Sequence, residues 1–281
     1  MAKSRFSSAQ SVEDDGLVIP EVGNWSEHKY ALLGNYCGIF TGGMQGKWNL
    51  VYIDLFAGAG YARIRETGAI TKTSALLALG TKKPYDLYLI NELDAERYAA
   101  LVERCQRHGE GRTYRTFNLN ANTGVEEILR SVPNFANGRG NLMFCFLDPF
   151  SLNLEFETVR TLGRHKVDLM VLLALQMDAR RNLTYYIREE SDKIERFLGD
   201  PGWRAKFALR KQTPTDFMKF LSDEYDERMR SLGYKTEVPK VPIKTDSGVG
   251  LYYLAFYSKH ERGGDFWEKI RKTATDQYTM F

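Results

Sequence analysis

A charge excess of either sign is missing from this chain. Its 39 Lys and Arg stand against 36 Asp and Glu, a net charge of only +3 over 281 residues. Bulk charge therefore points to no nucleic-acid or membrane partner, and any such surface must be a local patch. Cysteine is scarce too: Cys37, Cys105 and Cys145 are isolated from one another. Without a Cys-x-x-Cys pair neither a zinc nor an iron–sulfur site is indicated, and three reduced, buried thiols are expected. The four histidines, His28, His108, His165 and His260, are scattered, and no metal site is expected from them. No uninterrupted apolar stretch is long enough to span a bilayer. The opening residues, MAKSRFSSAQSVEDDG, lack the apolar run of a signal peptide, so a cytoplasmic protein is expected. There is no internal repeat. What is present is 43% hydrophobic residues, ample for one large domain or a domain with a sizeable insertion.

The most informative segment is YIDLFAGAG, from Tyr52 to Gly60. An apolar run ends in Asp54, then Phe56, then Gly58 and Gly60, as a strand gives way to a turn. A carboxylate followed four and six residues later by glycines suits an adenosyl cofactor at the end of a parallel strand. Glycines let the backbone approach a ligand, and Asp54 with the turn amides would face the ligand's ammonium and carboxylate. A dinucleotide fingerprint would need a small residue where Arg63 stands, and a phosphate-binding P-loop would need a Gly-Lys-Ser/Thr that is absent. The cofactor this favours is S-adenosylmethionine (SAM).

Periodicity organises the rest. A helix is predicted over Trp25–Phe40, then strands at Asn49–Phe56, Asp86–Asn91 and Thr113–Asn118, with helices at Thr73–Leu79, Asp94–Arg107 and Val125–Val132 between and after them. Asn141–Leu147 and Val167–Leu173 are continuous apolar runs, as central parallel strands covered on both faces should be. This alternation predicts an α/β fold, a doubly wound, mostly parallel seven-stranded sheet of Rossmann type with a helical insertion after the fifth strand. Residues 1–24 are expected to be a flexible segment, partly disordered up to about Gly16. Residues 25–175 form the cofactor-binding core, 176–232 a helical insertion for substrate or partner recognition, and 233–281 edge strands and a closing helix. Two strands near Tyr234–Ile243 and Leu251–Tyr257 would pair as a hairpin, with Pro239 and Pro242 placing the first at the edge. Tyr61–Lys83 is expected to be an extended excursion.

Other strand ends carry polar groups suited to the same cofactor. Glu92 would accept hydrogen bonds from ribose hydroxyls, and Asn120, in FNLNAN, would read an adenine amino group. After the fourth strand comes Asp148-Pro149-Phe150, which resembles the active-site motif of amino-methyltransferases. There a side-chain oxygen and a backbone carbonyl orient an exocyclic amine toward the activated methyl, and the aromatic ring stacks on the base.

YIDLFAGAG, INELD, LDPF and the late LYYLAFYSKHERGGDFWEKI together are similar to the three-Cys-motif partner (TcmP) proteins, a branch of the class I SAM-dependent methyltransferase fold. Trp25 with Lys29, and FLGDPGW from Phe197 to Trp203, fit the same pattern, and the resemblance runs from about Trp25 onward. It implies a separate radical-SAM type partner with a three-cysteine cluster, and an association with phage or mobile elements. The chain departs from the pattern where Asn120 replaces an acid and where Phe150 replaces a second proline.

In the insertion, WRAKFALRK carries Arg204, Lys206, Arg210 and Lys211 without an acid, interleaved with Trp203 and Phe207. Such a patch would suit a single-stranded or flipped nucleic-acid target, or be the solvated face of an amphipathic helix. Asp178, Arg180, Arg181 and Asn182 follow the fifth strand and would overhang the site, as substrate contacts or as salt bridges within the insertion. Two functions remain in view: a SAM-dependent methyltransferase acting on a nitrogen of a nucleobase or nucleic acid, or a methyltransferase-like assembly partner that binds SAM or a nucleotide without methyl transfer.

Overall fold

The computed structural model describes residues 11–135, 138–179, 181–188, 190–211 and 213–279. The chain begins with β1 (Glu21–Val22), α1 (Trp25–Met44) and β2 (Asn49–Asp54), followed by β3 (Tyr61–Ile64), β4 (Ile70–Lys72) and α2 (Ser74–Leu79). Next come β5 (Leu87–Asn91), α3 (Ala95–His108), β6 (Tyr114–Phe117), α4 (Ala121–Arg130) and β7 (Asn141–Leu147). Then α5 (Phe156–Leu162) and β8 (Val167–Leu173) lead into a π-helical turn, Leu175–Ala179. The helical insertion is α6 (Leu183–Tyr186), α7 (Lys193–Leu198), α8 (Trp203–Ala208) and α9 (Pro214–Ser231). The chain closes with β9 (Val241–Lys244), β10 (Gly250–Tyr257) and α10 (Glu261–Thr279).

One seven-stranded sheet has the order β6-β5-β2-β7-β8-β10-β9. Counted within the sheet by chain position this is 3-2-1-4-5-7-6, the doubly wound arrangement expected, with the predicted hairpin at one edge. β9 and β10 pair antiparallel, Pro242 opposite Tyr253, and β9 is the last strand of the sheet. A proline is tolerated there because its missing N–H removes no bond from an inner ladder.

The molecule divides into two compact units, residues 1–146 with 265–281 and residues 147–264. In the first, β2 is parallel to both β5 and β7, with Asp54 opposite Ile90 on one side and Phe146 on the other. Every residue of β2 and β5 is buried, which is why their sequences show no polar alternation. Aromatic rings fill one layer: Tyr36 of α1 lies 4.6 Å from Phe144, Tyr52 lies 5.9 Å from Phe144, and Tyr85 lies 5.4 Å from Tyr88. The three cysteines are buried. Burial pushes the Cys37 and Cys105 thiols up to about 12, leaving them protonated and unreactive.

The stretch expected as an extended excursion contains β3 and β4, an antiparallel hairpin onto which β1 adds in parallel. Residues upstream of α1 are tied down with it. Val12 N donates to Ile70 O at 3.0 Å and Arg63 N donates to Pro20 O at 2.9 Å. The expected flexible segment is therefore held from Val12 onward, while residues 1–10 lie outside the described residues.

In the second unit, β10 runs antiparallel to β8, Ala255 opposite Val171. Helix α9 starts where Thr213 caps the Asp216 N–H at 3.1 Å with Pro214 at the first position, a pairing that suits a helix start. It carries Tyr225, whose ring meets Phe197 of α7 at 5.1 Å, Phe156 of α5 at 5.6 Å and Tyr257 of β10 at 6.1 Å. The insertion meets its strand through this ring and through Asp226 beside it, which accepts from Tyr257 OH at 2.8 Å. Among the described residues, no helix is long and apolar enough to cross a membrane.

The Tyr225 hydroxyl is buried and has no hydrogen-bond partner among the described residues, so ring and hydroxyl act in opposite directions. Tyr225→Ala should cost about 3–5 kcal/mol in chemical denaturation. Tyr225→Phe, which removes only the unpaired hydroxyl, should be neutral or stabilise by about 1 kcal/mol. A marked loss with Phe would show that the hydroxyl has a partner.

Candidate functional site

The chain leaves β2 for β5 and β6 on one side and returns to β7 on the other. Open α/β sheets place their crevice at this reversal, beyond the carboxyl ends of the strands. The turn Ala57–Gly60 lies directly after β2. Its backbone is held at five points: Ala57 N donates to Asn91 O at 2.9 Å, and Ala57 O accepts from Thr73 Oγ1 at 3.3 Å. Gly58 N donates to Glu92 Oε2 at 2.8 Å, Ala59 O accepts from Arg104 Nη1 at 2.7 Å, and Gly60 O accepts from Thr73 N at 2.8 Å. Gly58 and Gly60 sit at φ 65° and 84°, conformations in which a side chain is strained. A Cβ on Gly58 would meet nothing within 4 Å, whereas one on Gly60 would lie 3.3 Å from Leu76 Cδ1 and 3.4 Å from Arg104 Cδ. The space over Gly58 is open, and Gly60 is packed from beneath.

Neighbouring strand ends are stitched to this turn. The Asn91 carboxamide donates to Leu55 O and to Leu119 O, both at 3.0 Å, and accepts from Leu119 N at 3.0 Å. The loops after β2 and β6 are thereby fixed by one buried side chain. Glu92 is 9% exposed. Its second oxygen accepts from Asp94 N at 2.9 Å, and Asp94 caps α3 through Arg97 N at 2.9 Å.

Two residues read from the sequence as ligand contacts are committed elsewhere in this form. Asp54 is 0% exposed, with one oxygen accepting from Tyr52 OH at 3.1 Å and the other from Phe56 N at 3.3 Å. Its carboxylate shapes the turn and offers no surface. Burial, then the Asp54 charge, push the Tyr52 phenol well above its ordinary value, so it stays a donor. Phe56 is half-buried beside it. Asn120 caps α4, its oxygen accepting from Asn122 N at 2.9 Å. That is what a residue at a helix start does by default.

Arg104 of α3 escaped the sequence reading. It is 0% exposed, and its guanidinium donates to both oxygens of Asp15 at 2.9 and 2.6 Å, to Val18 O at 2.9 Å, to Leu17 O at 3.5 Å and to Ala59 O. The Tyr61 ring stacks 4.3 Å from it. An arginine in an amphipathic helix reads as surface, and its acid lies 89 residues away along the chain.

In the second unit, Asp148-Pro149-Phe150 continues the chain from β7. Asp148 is half-buried, Pro149 is buried, and Phe150 is 81% exposed. Ser151 follows at φ 61°, the single non-glycine residue with positive φ among those described; a backbone of this kind persists only where its surroundings hold it. Asp178, on the π-helical turn, does so. Its buried carboxylate accepts from Ser151 Oγ, from Asn182 Nδ2 at 2.6 Å and from Tyr186 OH at 2.7 Å. Asp178 and Asn182, expected as substrate contacts or salt bridges, form a neutral-donor network around one carboxylate instead. Arg181 is exposed, and its N–H donates to Asp178 O at 3.1 Å. Arg180 lies outside the described residues.

The basic stretch of the insertion is not a free positive face. Trp203, expected to interleave with the cations of a nucleic-acid surface, is 0% exposed and packs 6.0 Å from Phe217. Lys206 lies 2.8 Å from both Asp200 and Glu224, and Arg210 lies 3.8 Å from Asp223. Arg204 spends its guanidinium on the carbonyls of Ile187, Arg188 and Ser191. Lys211 is exposed. The stretch lacks acids of its own, but α9 and the Gly199–Gly202 break supply them. The amphipathic-helix alternative describes α8.

The strand order with its antiparallel last pair is a class I methyltransferase-like Rossmann fold. No family model matches the chain, and no curated protein matches it. Among solved structures it is similar to a protein of Legionella pneumophila str. Philadelphia 1, family model DUF519. Identity is 9% over 89% of this chain and 91% of that one, with a TM-score of 0.54. It is also similar to a human methyltransferase 10 domain containing protein (10%, 90% of each chain, TM-score 0.42). A third is a geranyl diphosphate methyltransferase solved with GPP and sinefungin (11%, 88% of this chain and 91% of that one, TM-score 0.40). At 9% identity the Legionella likeness is one of fold alone; the other two scores are too low to carry an argument.

The two glycines should differ in a measurable way. Gly58→Ala carries only the left-handed backbone cost, about 1–2 kcal/mol. Gly60→Ala adds the close contacts with Leu76 and Arg104 and should lose more in urea unfolding. Equal losses would mean that the packing beneath Gly60 is loose. The Asp15 ion pair predicts a pH dependence as well. Hydrogen bonds from Arg104 hold the Asp15 carboxyl below its ordinary value. Its stabilisation is therefore complete above about pH 4 and lost as pH falls through the lower folded value. Thermal melts of Asp15→Asn should be flatter in that acid range than those of the wild type.

Proposed function

We propose that the protein is a SAM-dependent methyltransferase acting on an amine nitrogen of a nucleobase, free or within nucleic acid. The observation that carries this reading is the Ala57–Gly60 turn, fixed at five backbone points with open space over Gly58. The donor and acceptor set fits the cofactor. Glu92 presents a carboxylate with two oxygens beside the turn, suited to the vicinal hydroxyls of a ribose. Its bond to Gly58 N can be exchanged for a ribose hydroxyl without leaving the acid unpaired. Asp54 and Tyr52 hold the turn from below rather than touching the ligand.

When bound, SAM supplies a methyl group on a sulfonium, which is a good leaving group, so the protein's task is mainly positioning. Asp148 follows Phe146, the register partner of Asp54, by two residues along the chain. Its carboxylate and the Pro149 carbonyl would accept hydrogen bonds from an exocyclic amine and aim its lone pair. The exposed Phe150 ring would stack on the base. The substrate reading no longer leans on α8, whose cations Lys206 and Arg210 are paired with acids.

A second reading, a methyltransferase-like module that binds its ligand without methyl transfer, is favoured by the Asn120 oxygen serving as a helix cap. Its radical-SAM type partner enters through the sequence resemblance alone. Calorimetry with SAM and S-adenosylhomocysteine, followed by transfer of labelled methyl to nucleic-acid pools, separates the two. The enzyme reading expects binding and transfer, with Asp148→Ala lowering turnover roughly 100-fold while SAM affinity stays within about twofold. Binding without transfer favours the module. No binding of either ligand by the folded protein removes the enzyme reading and leaves the module only a nucleotide to bind.

A further inference from the structure

The Arg104 guanidinium has five N–H donors and no acceptor. Its partners divide unequally: one is Ala59 O in the glycine turn, and the others, Asp15, Leu17 and Val18, belong to the segment upstream of β1. Nη1 is shared between Val18 O at 2.9 Å and Ala59 O at 2.7 Å, so the upstream segment decides where the donor to the turn stands. Asp15 is itself fixed, by Leu17 N at 3.3 Å and by Arg107 Nη1 at 3.2 Å. The segment is pinned on either side, by Val12 N to Ile70 O and by Pro20 O to Arg63 N. The Arg104 stem passes beneath Gly60, where the missing Cβ leaves it room. A change at Asp15 therefore reaches the turn through one rigid, fully buried side chain.

We propose that Asp15, acting through Arg104, is a positioning residue for the glycine turn that receives the cofactor. This rests on the SAM reading of that turn. Asp15 does not meet the ligand; it keeps the Arg104 guanidinium aimed at Ala59 O and so keeps the Gly58 N–H and the space above it in place. Without the carboxylate, a buried cation is left with carbonyls alone, and it regains solvation by moving toward the surface the segment covers. The turn then loses one of its five supports. Asp14, one residue earlier, is the natural comparison: its carboxylate pairs with Arg63 at the exposed edge and touches neither Arg104 nor the turn.

Full-length protein carrying Asp15→Asn or Asp14→Asn tests this by two readouts. Amide hydrogen exchange at Ala57–Gly60 needs no ligand and should rise several-fold in Asp15→Asn and stay at the wild-type rate in Asp14→Asn. SAM affinity by calorimetry should fall about tenfold in Asp15→Asn, with turnover at saturating SAM nearly unchanged. Asp15→Glu, which restores the charge one methylene further out, should recover part of both, and it serves if Asp15→Asn does not fold. A purely structural role would lower stability while leaving turn exchange and affinity alone, and that result overturns the proposal. If the wild type binds no SAM, the SAM reading fails by itself. Raised turn exchange in Asp15→Asn would still sustain the positioning link, and unchanged exchange would sink it.

Discussion

A single buried guanidinium organises the turn after β2 and the segment upstream of β1. Arg104 keeps its positive charge with no exposed surface, a condition that costs several kcal/mol unless every donor is matched. The matching groups come from two stretches far apart in sequence: Asp15 with Leu17 and Val18, and Ala59 with the face of Tyr61. Satisfying the charge therefore fixes the upstream segment, the glycine turn and β3 in one arrangement. Removing one partner of such a set is worth about 3–5 kcal/mol, because the remaining charge is stranded. The turn's stiffness follows from this cost as much as from its own hydrogen bonds.

Elements whose signal is local were legible in the sequence. Asn141–Leu147 and Val167–Leu173 were bounded to the residue, because each is dominated by apolar residues, the first stopping at Asp148 and the second starting after Lys166. Helix α3 was found within one residue at each end, its start marked by the Asp94 cap. The edge hairpin was found through its prolines. The β1–β3–β4 sheet was missed because its strands are two to four residues long, so no period can be counted. Its parallel pair, Glu21 with Arg63, joins residues from opposite sides of β2. Helix α5, of seven residues, is likewise too short for its periodicity to stand out.

The site divides along the same line. The types of residue in YIDLFAGAG announced a turn that needs positive φ, and Gly58 and Gly60 have it. What each polar side chain bonds to was not legible. Asp54 reads as a ligand group, yet residues two apart in a strand share a face, and Tyr52 takes it. Asn120 reads as a base-reading amide, yet it stands where a helix begins and its oxygen accepts from Asn122 N. WRAKFALRK reads as a basic patch because its acids, Asp223 and Glu224, arrive only after another turn of chain brings α9 alongside. Pairing partners of charged residues are tertiary information, and their absence from a window of sequence is no measure of exposure.

Both strand-end loops meet one physical requirement by opposite means. Backbone leaving a parallel sheet loses its ladder partners just where a binding loop must hold its shape. After β2 the Ala59 carbonyl is held by a pure donor, Arg104, which also takes the Val18 and Leu17 carbonyls of the upstream segment. After β7 the Ser151 hydroxyl is held by a pure acceptor, Asp178, which also gathers the Asn182 amide and Tyr186 hydroxyl donors that follow β8. In each case the holding residue lies on a helical element outside the loop and is itself buried, so the loop can vary in sequence while the support stays. The left-handed Ser151 and the exposed ring of Phe150 beside it are what such a support permits. A strained backbone and an apolar ring in water are both unfavourable alone, and the bond from Ser151 Oγ to the buried Asp178 carboxylate is what holds this turn in place.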